Sequence, residues 1–167
     1  MKASLWIRQA SFFDLRPIQR VQARSLRELS AQHYSVEQIE SLVISQALSY
    51  LNLLPLVSTP VYVAVTRDTH NKEKIIGAGF LSAGFSSIDG LYVHPKFSRR
   101  GVGTQLLRHL ESIACQYHRS LFVTSSMVAV PFYQKAGYSI EHSYQIQSEG
   151  HLIDCEFMAK AFDKPTD

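Results

Sequence analysis

The chain has 167 residues, 46% of them hydrophobic, a length that suits one domain spanning 1–167 and able to bury roughly 70% of its unfolded surface. Aromatic residues at 11% argue against disorder, no run of about 18 apolar residues offers a membrane span, and Met1 to Ala10 lacks the greasy stretch of a signal peptide. Seventeen basic against 14 acidic side chains leave a formal charge of +3, too small for a nucleic-acid binder but suited to a small polyanion if the positive charges cluster.

Leu5 to Ala10 reads as a strand. A helix follows, with Leu15, Ile18, Val21, Leu26 and Leu29 near helical spacing and Pro17 in its first turn, where a missing N–H costs little. A second helix is announced by Ser35 as N-cap, Gln38 completing a capping box, and Tyr34 with Ile39 as a hydrophobic staple. Its expected apolar face is Val36, Ile39, Val43 and Ala47. Leu51 to Pro60, with Pro55 and Pro60, is a connection.

The period then changes. Val61 to Val65, Ile75 to Ala83 and Ser87 to His94 are strands of a meander, with a polar turn at Asp68 to Lys74. A long helix opens at Val102, with Leu106, Leu110, Ile113 and Tyr117 on one side. Leu121 to Thr124 is a strand, and Val128 to Lys135 a short helix with Gly137 at its C′ position. Tyr138 to Gln147 and Leu152 to Ala159 close as an antiparallel pair around Glu149 and Gly150. The strand–helix–strand order from Ser87 to Thr124 implies a right-handed parallel crossover, so the class is α/β with a mixed sheet. Cys115 and Cys155 form no C-x-x-C pair, Cys115 reads as a small buried side chain, and a reducing, cytoplasmic compartment is the expectation.

The chemistry concentrates in Ile88 to Leu107, IDGLYVHPKFSRRGVGTQLL. A strand ends at Pro95, basic Lys96, Arg99 and Arg100 follow, and Gly101 and Gly103 open a helix. Free N–H groups and the partial positive charge of a helix start bind phosphate oxygens, and glycines let them approach the backbone. A dinucleotide fingerprint would need glycine where Leu106 stands, and a P-loop would need lysine where Phe85 stands.

The stretch Ser98, Arg99, Arg100, Gly101, Val102, Gly103 resembles motif A of the GNAT acetyltransferases, Q/R-x-x-G-x-G/A, with Ser98 in place of Gln or Arg. Ser126 to Tyr138 resembles the second family signature, N-x-x-A-x-x-[FL]-Y-x-K-x-G-[FY], through Ala129, Phe132, Tyr133, Lys135, Gly137 and Tyr138, with Ser126 in place of Asn. The chain looks like a bacterial member of that family, and the resemblance covers nearly all of it. It implies an acyl-CoA N-acyltransferase fold, a mixed sheet flanked by helices in which two parallel strands splay apart. It further implies acetyl-CoA as cosubstrate and direct attack of a primary amine on the thioester, with no metal.

By resemblance, the backbone of Leu91, Tyr92 and Val93 pairs with the pantetheine arm. Amides of Arg99, Arg100, Gly101, Val102, Gly103 and Thr104 hold the pyrophosphate, with Ser98, Ser126 and Phe132 alongside. Tyr133 matches the family's general acid, since a phenol with a pKa of about 10 keeps a proton to donate. The base is open between Asp89, His33 and a water chain. His33 and Tyr34 fall in the loop that borders the family's acceptor site. Family members are often dimers, and small amines, antibiotics, amino acids and peptide N-termini all stand as acceptors. A second reading keeps the fold as an acyl-CoA-binding sensor without turnover. Neither a nucleic acid nor a membrane is expected as partner.

Overall fold

The computed structural model describes residues 5–52 and 60–162. Among them, seven strands form one mixed sheet in the order β1-β2-β3-β4-β5-β7-β6. These are β1 (Trp6–Gln9), β2 (Val61–Arg67), β3 (Glu73–Leu81), β4 (Ser87–Val93), β5 (Ser120–Ser126), β6 (Ser139–Ser148) and β7 (His151–Ala161). The helices are α1 (Leu15–Leu29), α2 (Val36–Asn52), α3 (Val102–Ala114) and α4 (Val130–Lys135). The expected elements are all present, with ends shifted by a few residues. Leu51 and Asn52 belong to α2, and residues 53–59 of the expected connection lie outside the described residues.

Alternation along the strands sorts side chains between two helical layers. Val63 and Val65 of β2 pack with Ile18 of α1, while Ala64 between them packs with Val102 and Leu106 of α3. β2 is therefore buried on both faces, which explains its unbroken apolar run. Leu26, Tyr34 and Ile39 cover Ile153 and Cys155 of β7 on the α1/α2 side. Leu107, Leu110 and Tyr133 cover Leu121, Val123 and Met158 on the α3/α4 side.

Three local expectations change. Val36 is 72% exposed; the Ser35–Gln38 capping box forms and the Tyr34–Ile39 staple docks on the sheet, turning the first helical residue outward. α3 ends at Ala114, so Tyr117 lies past the helix, exposed and stacked on Phe85. Cys115, the cap residue of that helix end, is exposed; Cys155 is buried, and neither forms a disulfide. Among the described residues no helix is long and apolar enough to cross a membrane.

Candidate active site

The site begins with a failure of pairing. β4 and β5 run parallel but share only two register pairs, Ser87 with Phe122 and Ile88 with Val123. Past them the strands part. On its other side β4 stays paired with β3 through Val93, Tyr92, Leu91 and Gly90. The edge of β4 facing β5 therefore carries backbone groups without a strand partner. Asp89 is the extra residue of a bulge, because Leu81 faces Ile88 while Phe80 faces Gly90.

After β4 the chain makes a 3₁₀ turn at Pro95–Phe97. His94 Nδ1 accepts from the Lys96 amide at 3.2 Å, and the Ser98 hydroxyl donates to the Pro95 carbonyl at 2.8 Å. Ser98 thus holds the turn rather than replacing a long basic side chain. Arg99 (φ 60°) and Gly101 (φ 83°) are both left-handed, an alternation that makes concave nests of backbone N–H groups. Gly101 caps α3 without a side-chain hydrogen bond, leaving the first-turn amides open. Val102 anchors that turn in the core, and a Cβ on Gly103 would touch Phe132 and Val93 at 3.5 Å.

Arg99 and Arg100 are exposed and have no acidic partner among the described residues; the Arg100 guanidinium rests 5.7 Å from the centre of the Phe97 ring. A groove of about 310 Å³ lies between α3 and α4, lined by Thr104, Arg108, Phe132 and Lys135 among others. Arg108 and Lys135 add positive charge to a wall where the third cation, Lys160, is already paired with Glu111 at 2.9 Å.

Tyr133 lies between Phe132 and Tyr138, with ring centres 5.1 and 5.3 Å away. Tyr133 is buried, and no described residue hydrogen-bonds its hydroxyl. Burial pushes this phenol well above its ordinary range, and neighbouring Tyr92 adds to the effect. Tyr92 itself is raised by burial to about 12 and bonds to Gln22 of α1. Ser126 ends β5, paired with Cys155, and its carbonyl accepts from the Ser125 hydroxyl at 3.0 Å.

Asp89 faces the α1/α2 side. Ile88 and Val123 sit in the α3-side core, so paired Ser87 and Phe122 face the other way. The Ser87 hydroxyl donates to Asp89 Oδ1 at 3.0 Å, drawing the carboxylate to that face. Desolvation raises the Asp89 pKa, and the Ser87 bond offsets this only in part. His33 is exposed in the turn between α1 and α2. Tyr34 is buried there as a tie: its hydroxyl donates to the Asp154 carbonyl at 2.7 Å and accepts from the Met127 amide at 2.8 Å. Burial raises that phenol to about 12.

Of the rest of this face, the sequence singles out only His142 on the closing pair, and not its ring neighbours Phe122, Phe157 and Tyr144. Phe122 and Phe157 stack at 5.5 Å, His142 stacks on Phe157 at 5.0 Å, and Tyr144 follows at 5.6 Å with its hydroxyl bonded to Thr124. Register confirms one surface, since Thr124 and His142 both pair with Phe157. Phe122 and Phe157 are half-buried and belong to none of the core clusters among the described residues. The available signal was the alternate rings His142 and Tyr144 on β6, with one phenylalanine on each of β5 and β7.

Residues 61–153, the segment holding the splayed strands and the glycine loop, match the family model of the acetyltransferase (GNAT) domain. The chain belongs to the GNAT acetyltransferase family. It is 28% identical over 127 residues to the uncharacterized N-acetyltransferase YafP of Escherichia coli, covering 76% of each chain. Among solved structures, it superposes on a GCN5-related N-acetyltransferase from Rhodopseudomonas palustris with a TM-score of 0.85 and 26% identity, covering 97% of this chain and 99% of that one. PaiA N-acetyltransferase from Thermoplasma acidophilum, solved with coenzyme A, shares the fold at a TM-score of 0.71 and 20% identity, with coverage of 95% and 99%. The GNAT assignment thus rests on the same segment that holds the cleft.

Proposed function

We propose that the protein is an acetyl-CoA-dependent N-acetyltransferase that moves the acetyl group to a primary amine by direct attack. The observation that carries this reading is the unpaired edge of β4, open beside the uncapped start of α3. Backbone groups of Leu91, Tyr92 and Val93 take the amide-bearing pantetheine arm as an added strand. Amides from Arg99 to Thr104 take the pyrophosphate, and Arg99 and Arg100, free of acidic partners, add charge-assisted bonds. Phe132 and Ser126 flank the arm from the α4 side. Gly103 supports the fit by keeping the first turn of α3 free of a longer side chain beside Val93 and Phe132, where a Cβ would make ordinary contacts.

Asp89 takes the ammonium proton from the face opposite the phosphates, helped by a pKa already raised by desolvation. The freed nitrogen bonds to the carbonyl carbon as the carbon–sulfur bond breaks. The amide near Val93 donates to the carbonyl oxygen, and Tyr133 gives its phenolic proton to the departing sulfur. Release of free thiol from acetyl-CoA across an amine panel tests the reading. Amine-dependent release supports it. Tight acetyl-CoA binding with no release for any amine would make the protein an acyl-CoA-binding module instead.

A further inference from the structure

We infer that the acceptor is a primary amine carrying an aromatic ring on a short alkyl linker, held with its ring on the Phe122–Phe157–His142 shelf and its nitrogen at Asp89. This rests on the acetyltransferase reading above and names the substrate class for the same site.

Three observations converge. The shelf is a continuous run of nearly parallel rings, with interplanar angles of 14° between Phe122 and Phe157 and 25° between Phe157 and His142. Rings stacked at these spacings cover one another's faces, so the face they leave for a further ring is the outer one of Phe122, on the side of β4, while Tyr144 at the other end of the row is packed into the α2 cluster. Second, the shelf adjoins the cleft: Phe122 is paired with Ser87, the last point where β4 and β5 hold together with Ile88 and Val123. Third, the carboxylate on that face stands at the right separation. Asp89 is one residue past the last β4–β5 pair, and its carboxylate is drawn back by the hydroxyl of Ser87, the residue directly across from Phe122. A ring on the shelf and an ammonium at Asp89 are then joined by a short saturated linker. The aliphatic stem of a diamine or a lysine side chain would leave the ring faces uncovered.

Two measurements test this together: acetylation of phenethylamine against n-butylamine, and calorimetric titration of phenethylamine into protein saturated with coenzyme A. Phenethylamine is expected to show a kcat/KM at least about tenfold higher, the equivalent of about 1.4 kcal/mol. Phe157→Leu, which keeps the apolar bulk but removes the ring, should lose that preference while acetyl-CoA still binds. His142→Ala, at an exposed position, should raise the KM for phenethylamine several-fold without threatening the fold. Equal or better turnover of n-butylamine would overturn the inference and leave the acetyltransferase reading standing. Phenethylamine binding that is lost in Phe157→Leu, with no acetylation of any amine, would support the shelf and overturn the acetyltransferase reading. Absence of both binding and turnover of phenethylamine overturns the inference.

Discussion

The ring of Tyr92 lies across Gly90. A Cβ at Gly90 would stand 2.6 Å from Tyr92 Cε2, closer than packed atoms come, so the bulged strand can pass under the ring only as glycine. Tyr92 cannot easily yield, since it packs edge-on to Phe80 at 6.2 Å and bonds to Gln22. Gly90→Ala should therefore cost about 1–3 kcal/mol, as overpacking does. Thermal melting checks the cost. The double variant Gly90→Ala/Tyr92→Leu should recover part of the loss, as contacting sites couple.

Acetyl-CoA should raise the melting temperature, by about 2.7 kcal/mol of added stability at a hundredfold excess over Kd. Gly103 separates shape from charge in that binding. Gly103→Ala adds only an ordinary contact at 3.5 Å to Phe132 and Val93, and should keep the shift. Gly103→Glu places a carboxylate where the pyrophosphate would lie and should abolish it. A thermal shift equal to the wild type in Gly103→Glu would mean that the phosphates lie elsewhere.

Tyr133→Phe should lower kcat by about a hundredfold or more, the scale of a lost general acid, with acetyl-CoA affinity nearly intact. Burial holds the phenol protonated well above its usual range. Loss of its proton should therefore produce no fall in kcat between neutral pH and about 10, the ordinary phenol value. A pH–rate profile of wild type and variant reads both effects.

Asp89 carries a stability cost with its chemistry. Its pKa is raised in the fold by desolvation, so the stability linked to its protonated form is present at low pH and lost as pH rises through the folded value. At neutral pH the charged carboxylate is therefore a burden. Asp89→Asn should melt slightly higher than wild type at pH 7 and lose that advantage in acid. Its acetylation rate should fall, because the amide accepts no proton. Paired melting and rate measurements across pH check the two halves.

Tyr34 supports the site from a distance. Tyr34→Phe leaves the Asp154 carbonyl and the Met127 amide without their partner, so a loss of about 1–3 kcal/mol is expected. Met127 leads into α4, which carries Tyr133, so turnover should fall more than acetyl-CoA affinity. Denaturant melts and steady-state kinetics on one preparation separate these effects.

What could be read from the chain was what short-range chemistry decides. Gly101 and Gly103 announce a helix start made for anions, and Ser35 with Gln38 close their capping box at 2.9 and 3.3 Å. Glu149 and Gly150 take the positive φ angles, 44° and 83°, of a tight hairpin. Features set by distant partners were hidden. The bulge at Asp89 exists only in register with β3. Tyr34 has helix-staple spacing, but the partners of its hydroxyl lie 93 and 120 residues away. Phe122 and Phe157 share a face through the register of β5 with β7, which alternation within either strand does not reveal.

The parting of β4 from β5 divides the molecule along its own chain. Strands β1 to β4 come from residues before 94, strands β5 to β7 from residues after 119, and two register pairs stitch them in the sheet. The sheet is thus two leaves on one spine, with α3 as the binding between them. Amides of the second leaf should exchange with solvent through opening of that leaf, faster than those of β2 and β3. A molecule lying along the seam would add rungs where the ladder has fewest, and the two leaves would then exchange at one rate.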